Sequence, residues 1–425
     1  MIGIGGIGMS ALAQLFAHEG RRVTGSDRGE SPTTELLTEK GVSVVIGQRA
    51  EHVTADIELV IYSDAIAEDN PERVRARELG IRQISYFQAL GVVSASYRTL
   101  AVAGTHGKTT TTGMLTKILC ECNTAPTAII GSIVRDFESN YVAGTSDVFV
   151  VEACEYRGHL LELFPEILVI NNLEWDHTDF FPSLEALQDT FRTAIQKVPE
   201  TGVIVTDPRN PNIAPLLSAA SAQIVDYTQE SVPELQQIGE FNRANAKAAK
   251  AAAKALDPHL EDACIDEALK TFLGTWRRFE HKGQTKTGAE VYDDYAHHPT
   301  AVAETIAGVR ERFPGKRLVV AFHPHLFSRT RDLFDGFVGA LMQADEVIVA
   351  PIYAAREPDD PSISNHKLAD AVQLGMGAIH TVYALDSFEE IEAKLNEYDA
   401  SAIVITMGAG DIYKVADEIT KVRPL

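Results

Sequence analysis

Cysteine is scarce: Cys120, Cys122, Cys154 and Cys264 are the only four in 425 residues. That density excludes a disulfide-stapled scaffold, and the spacing matches no zinc site. Long apolar runs are also missing, since none nears the ~20 residues of a membrane span. Basic charge is short, with 38 Lys and Arg against 60 Asp and Glu, a net charge of −22. A surface of that sign repels polyphosphate and excludes a general nucleic-acid binder. Anionic ligands must then be held by local nests or single bases. Met1 leads into a glycine turn with no basic n-region or cleavage site, so no secretory signal is expected. The absences together predict a soluble, reduced, cytoplasmic protein with neither nucleic acid nor membrane as partner.

What is present is globular: 45% apolar and 23% charged residues, long enough for about three domains. Runs apolar on both faces read as buried parallel strands: Ile57–Tyr62, Thr99–Ala103, Val148–Glu152, Ile167–Asn171, Val203–Thr206, Leu318–Phe322, Glu346–Ala350 and Ala402–Thr406. Helical patterns lie between them at Met9–His18, Leu184–Val198, Asn245–Leu256 and Pro299–Arg312. The Ala/Lys-rich stretch 244–256 reads as a solvated helix. Strand–helix alternation of this kind predicts α/β architecture. Polar breaks at Ser94–Arg98 and His281–Gly288 divide the chain into expected domains 1–97, 98–282 and 283–425.

Two glycine-rich turns stand out. Gly3-Ile-Gly5-Gly6-Ile-Gly8 fits G-x-G-x-x-G, with Asp27 about twenty residues on, where a dinucleotide fold places its ribose acid. Alone, it suits a dinucleotide, another nucleotide diphosphate or no ligand, and its leading strand, Met1–Gly3, is unusually short. That shortness leaves the true start expected upstream or the first domain incomplete. Gly104-Thr105-His106-Gly107-Lys108-Thr109-Thr110 is more specific. A strand precedes it, and a helix over Thr110–Leu119 can follow. Backbone N–H groups of such a loop wrap phosphate, the lysine reaches the β- and γ-phosphates, and the next hydroxyl can ligate Mg²⁺. Val102 stands where the first glycine of the common phosphate-loop pattern would be.

Glu152 ends one apolar strand with Glu155 three residues on, and Asn171-Asn-Leu-Glu174-Trp-Asp176-His177 follows another. Both places open onto the carboxyl edge of a parallel sheet, where ligands bind, and hard carboxylates there suit Mg²⁺. Asp293-Asp294-Tyr295-Ala-His297-His298-Pro299 and His323-Pro-His325-Leu-Phe-Ser328-Arg329-Thr330-Arg331 follow further strands. Arginines so placed read as carboxylate or phosphate clamps, with exposed salt-bridging the even alternative for Arg331. The four histidines are a weaker candidate for zinc, because their spacing is not that of helical ligand pairs.

These segments, with F-N-R-A-N, W-R-R-F-E and a closing G-A-G-D, come in an order that resembles the Mur ligases over essentially the whole chain. Those are ATP-dependent enzymes that add amino acids to a UDP-linked muramic acid during peptidoglycan synthesis. The likeness is greatest to members that take L-alanine. It implies a Rossmann-like N-terminal domain, a central P-loop ATPase-like α/β domain and a C-terminal Rossmann-like α/β domain. By position, Gly5, Gly6, Gly8 and Ser63 would line the site for UDP-N-acetylmuramate, and Lys108 with loop 104–110 would hold the ATP phosphates. Thr109, Glu152 and His177 would hold Mg²⁺. Asn242 and Asn245 would face the adenine, and Arg278 and Asp294 the phosphate and ribose side. Tyr295, His297, His298, His325 and Arg329 would shape the L-alanine and acyl site, with His297 or His298 as base. Phe241, Leu326 and Cys154 depart from residues usual in the family. The alternatives are a ligase adding an intact tripeptide to the same sugar, an NAD-dependent dehydrogenase using the first turn and Asp27, and a nucleotide-gated binding protein.

Overall fold

The computed structural model describes residues 1–355, 357–377 and 379–420; the last five residues of the expected third domain lie outside them. The chain forms two compact units. The first comprises Met1–Leu173, Leu187–Glu234 and Asn245–Leu273; the second comprises Glu174–Ala186, Leu235–Ala244 and Gly274–Leu425.

The first unit contains two sheets. Strands β1 (Thr24–Asp27) and β2 (Ser43–Ile46) pair in parallel, as do β3 (Leu59–Tyr62) and β4 (Arg82–Ser85). Ile2 makes single parallel bridges to Ser26 and to Tyr62, so the expected Met1–Gly3 strand is reduced to one bridging residue between the pairs. A cavity of about 800 Å³ adjoins it, lined by Thr24, Gly25, Leu59 and Val60 among others. The Met1 ammonium is pushed down to about 6 by burial, against the pull of Glu72, and donates to Thr24 O at 2.6 Å.

Strands β5 (Arg98–Ala103), β6 (Thr127–Val134), β7 (Ser139–Val142), β8 (Val148–Glu152), β9 (Ile167–Ile170), β10 (Val203–Thr206) and β11 (Gln223–Asp226) form a seven-stranded sheet in the order β11-β10-β9-β5-β8-β6-β7. All its pairs are parallel except β6–β7. β5 therefore lies between β8 and β9, the switch point where an open α/β sheet presents its ligand crevice. Helix Ile7–His18 buries Leu12 and Leu15, and its Gln14 donates to Asn140 of β7 at 3.2 Å.

The second unit is built on β12 (Glu280–Gln284), β13 (Glu290–Asp294), β14 (Arg317–Phe322), β15 (Glu346–Val349), β16 (Thr381–Ala384) and β17 (Ala402–Met407), in the order β12-β13-β17-β14-β15-β16. Only β12 runs antiparallel to its neighbour. Val320, Phe322, Val347 and Ile405 pack one face of the sheet, and Val319, Ile348 and Val404 pack the other. Both faces are thus covered, as continuous apolar strands require.

Three expectations change, and one even alternative is decided. The polar stretch His281–Gly288 is not an open break in the chain, because β12 occupies its first half. Its hydrophilicity is that of an antiparallel edge strand, with the His281 and Gln284 side chains bonding Glu290. The Ala/Lys stretch is not solvated: its helix runs from Glu240 to Leu256 with Ala246, Ala249 and Ala252 buried. Lys250 is 1% exposed and paired with Asp262 and Asp266. The cysteines are not all reduced, since Cys122 and Cys264 form a disulfide joining helix Lys108–Glu121 to helix Asp262–Lys270. Arg331 takes its bland role, exposed and paired with Asp332 and Asp360.

Candidate active site

The phosphate-binding loop sits in the first unit, between β5 and the helix Lys108–Glu121. Gly107 has φ +78°, and a Cβ there would lie 2.1 Å from the Asn245 side-chain oxygen, so glycine is required on two counts. The two asparagines after β9 pin the loop. The Asn172 side chain accepts from His106 N at 2.8 Å, and Asn171 Nδ2 donates to His106 O at 3.3 Å and to Thr111 Oγ1 at 2.9 Å. Their position is set by topology: β9 flanks β5, so its end lies beside the loop.

Lys108 is folded onto this loop. Its Nζ donates to Gly104 O at 2.6 Å, Thr105 O at 3.2 Å and Glu155 Oε1 at 3.0 Å. Its side chain is 14% exposed and that of Glu155 only 1%. Burial alone would lower the ammonium's pKa, but Glu155, with Cys154 and Glu152, holds it above its ordinary value. The phosphate-loop cation is therefore one half of a largely buried ion pair. Glu152, at the end of β8 on the other flank of β5, accepts from Gly131 N at 3.1 Å. Thr109 is buried at the first turn of the following helix. Of the expected metal ligands, Thr109 and Glu152 belong to the first unit and His177 to the second.

The amino-terminal glycine turn is closed by Gly6 N donating to Gly3 O at 3.2 Å. Asp27, the expected ribose acid, already accepts from Gly5 N at 2.8 Å and Arg28 N at 2.7 Å. Ser63 follows β3 and is tied to Ile2, its N–H donating to Ile2 O at 3.0 Å.

In the second unit the candidates gather at the carboxyl ends of β13, β14 and β17. His297 is held by a 2.9 Å bond between Nδ1 and Tyr295 O. A carbonyl only accepts, so Nδ1 carries the proton and the lone pair is on Nε2. Burial, then Arg329, keeps its pKa well below the usual imidazole range, against the pull of Asp176. His298 is committed on both nitrogens: Nε2 donates to Trp175 O at 3.2 Å, while Nδ1 accepts from Thr300 N at 3.3 Å and so caps helix Pro299–Arg312.

Arg329 is 2% exposed; its Nε donates to Asp176 Oδ1 at 2.8 Å and its Nη1 to His325 Nδ1 at 3.0 Å. The expected free carboxylate clamp is thus largely engaged within its own unit. Burial would raise the Asp176 carboxyl, but Arg329 and the neighbouring histidines hold it well below the usual carboxylate range. Leu326, one of the departures from the family pattern, is buried with φ +70°.

Asp294 accepts from Phe279 N at 2.7 Å and Ala296 N at 2.8 Å, and burial pushes its carboxyl up against the pull of Arg278. The Arg278 guanidinium lies 5.0 Å over the Tyr295 ring. Asn242 donates to Ile238 O at 2.8 Å; Asn245, on the same helix, belongs to the first unit and packs against the phosphate loop. Reading the sequence missed Glu155, Asn171, Asn172 and Asp176 as organisers. All four lay in the motif segments, but only tertiary pairing shows what they hold.

Three family models match the chain: "Mur ligase family, catalytic domain" over 1–98, "Mur ligase middle domain" over 102–237 and "Mur ligase, glutamate ligase domain" over 277–410. The UDP-N-acetylmuramate–L-alanine ligase of Clostridium botulinum is 36% identical over 446 residues, spanning 98% of this chain and 96% of that one. The crystal structure of the UDP-N-acetylmuramate–alanine ligase of Thermotoga maritima matches with a TM-score of 0.80 at 27% identity, covering 99% of this chain and 97% of that one. A murein peptide ligase from Psychrobacter arcticus shares the fold, with a TM-score of 0.72 at 24% identity over 99% and 97% of the two chains. Matched along its length by relatives and by all three models, the chain belongs to the Mur ligase family.

Proposed function

We propose that the protein is an ATP-dependent ligase that joins L-alanine to the carboxylate of UDP-N-acetylmuramate, an amide-forming step of peptidoglycan synthesis. The observation that carries this reading is 36% identity to a UDP-N-acetylmuramate–L-alanine ligase over 98% of the chain. Dependence on ATP argues for a cytoplasmic reaction. Gly5, Gly6, Gly8 and Ser63 would receive the UDP-sugar. Loop 104–110 would cradle the ATP phosphates, with backbone N–H groups and the positive end of helix Lys108–Glu121 facing them. Asn242 and Asn245 would take the adenine side, and Arg278 and Asp294 the ribose and phosphate side.

Magnesium fits the donor set. Thr109 supplies a hydroxyl, Glu152 a carboxylate with one backbone N–H on Oε2, and His177 an imidazole, so two of the three donors are hard oxygens. Held there, Mg²⁺ would supply charge neutralisation for the phosphoryl transfer. The muramate carboxylate attacks the γ-phosphorus and ADP leaves, giving an acyl phosphate. The alanine amine then attacks the acyl carbon, and inorganic phosphate leaves from the tetrahedral intermediate. The ammonium proton must go to a base. His297 is favoured over His298, because its Nε2 lone pair is open whereas both His298 nitrogens are in use. Arg329, held by Asp176 and His325, offers the amino-acid carboxylate only its remaining N–H groups; Tyr295 and His325 shape that side.

The test is ADP release with ATP, UDP-N-acetylmuramate and Mg²⁺, with and without L-alanine. Release that requires both the sugar nucleotide and L-alanine supports the reading. Release indifferent to both would reject it.

A further inference from the structure

Against the glycine turn stands a phenol that no step above uses. Tyr86 opens the helix Tyr86–Ser94 immediately after β4, held there by the capping box of Ser85 and Gln88. Its ring meets Phe87 edge-on at 4.8 Å, and Phe87 stacks on His159 at 3.6 Å. His159 pairs with Asp64 at 3.2 Å, next to Ser63, so the ring is set in a braced wall. Its hydroxyl end lies against the turn: a Cβ built on Gly8 would be 2.5 Å from both Cζ and Oη. Glycine at position 8 is therefore what lets the phenol reach the first turn of helix Ile7–His18. The hydroxyl makes no hydrogen bond among the described residues. Burial, then the charges of Glu152 and Cys154, raise its pKa, so it is a neutral O–H donor at any physiological pH.

The geometry points to Tyr86 as a binding residue whose hydroxyl donates to the diphosphate of the sugar nucleotide at the glycine turn. This inference rests on the UDP-sugar reading above. A nucleotide diphosphate lying over the glycine turn meets the first-turn N–H groups of helix Ile7–His18 on one side and this O–H on the other. A neutral donor suits an anion in a protein of net charge −22, because it adds no cation that nearby carboxylates would claim.

Tyr86→Phe removes the oxygen and keeps the ring, so a merely structural role predicts no change. A hydrogen bond to a charged group typically changes affinity by about tenfold or more. Affinities of wild type and variant are measured by calorimetry for UDP-N-acetylmuramate and, separately, for UDP, which has the diphosphate but no sugar or carboxylate. The expected result is an equal weakening of about tenfold for both probes, with KM for ATP and L-alanine and the thermal midpoint unchanged. Wild-type affinity of Tyr86→Phe for UDP would overturn the assignment, as would weakening confined to UDP-N-acetylmuramate. Failure of the wild-type protein to bind either probe is a different result, and it would remove the sugar-nucleotide reading itself.

Discussion

Replacing Lys108 by alanine perturbs both chemistry and fold, and the two effects can be separated. The ammonium is the cation of a phosphate-binding loop and also the partner of Glu155, which is 1% exposed. Losing a charge clamp on a transferred phosphoryl group costs on the order of 10²-fold or more in rate. Removing one partner of a buried ion pair costs about 3–5 kcal/mol of stability, because the remaining carboxylate loses the charge that compensated its burial. For a unit of this size each kcal/mol lowers the thermal midpoint by about 2–4 °C, so a drop of roughly 6–20 °C is expected. Lys108→Met combined with Glu155→Gln removes both charges and should recover much of that drop while turnover stays lost. Calorimetric midpoints and ADP release, measured on the same preparations, decide the matter. A well-folded Lys108→Ala protein with near-normal ADP production would refute the phosphate-loop assignment. A wild-type midpoint in Lys108→Ala would refute the ion-pair reasoning.

Three further outcomes follow from named residues. Glu152→Gln should raise the Mg²⁺ concentration for half-maximal rate, and His177→Ala should do so less, since imidazole is a poorer Mg²⁺ ligand; unchanged titrations in both would remove them from the metal site. His323 is lowered to about 4 by burial, with Arg277 adding and Asp411 opposing. The unfolded chain then binds its proton near 6.5 and the folded chain only near 4, so stability is full above 6.5 and falls as pH drops through that window. His323→Gln should flatten the acid side of a urea-stability profile by up to roughly 3 kcal/mol, and an unaltered profile counts against the buried neutral imidazole. The disulfide spans 142 residues, worth up to about 5 kcal/mol in the chain-entropy account. Cys264→Ser should lower the midpoint without reductant and change little with it; equal midpoints throughout would show that the bond adds no stability.

The parts of this protein that chemistry crowds into one stretch were readable from sequence. The loop 104–110, its leading strand and the carboxylate ending β8 are contiguous patterns, and buried parallel strands announce themselves by being apolar on both faces. β1, β2, β4 and β11 were not legible, because they are four residues long, with many positions partly or fully exposed. The Ala/Lys helix was misjudged for a reason of distance. Lys250 reads as a solvated charge until Asp262 and Asp266 are brought against it. Pairings such as Lys108–Glu155, Arg329–Asp176 and Cys122–Cys264 join residues 47, 153 and 142 positions apart, and nothing local marks them. Those pairings bury the cation of the phosphate loop and engage the arginine read as a clamp.

The measurement closest to the central claim is a competition between amino donors. Equimolar L-alanine and the tripeptide L-Ala-γ-D-Glu-diaminopimelate are offered with ATP and UDP-N-acetylmuramate, and the products are resolved by mass. The expected main product has the mass of UDP-N-acetylmuramoyl-L-alanine, with one ADP released per amide formed. A predominant tripeptide adduct would contradict the assignment of L-alanine while leaving ATP and the sugar nucleotide in place.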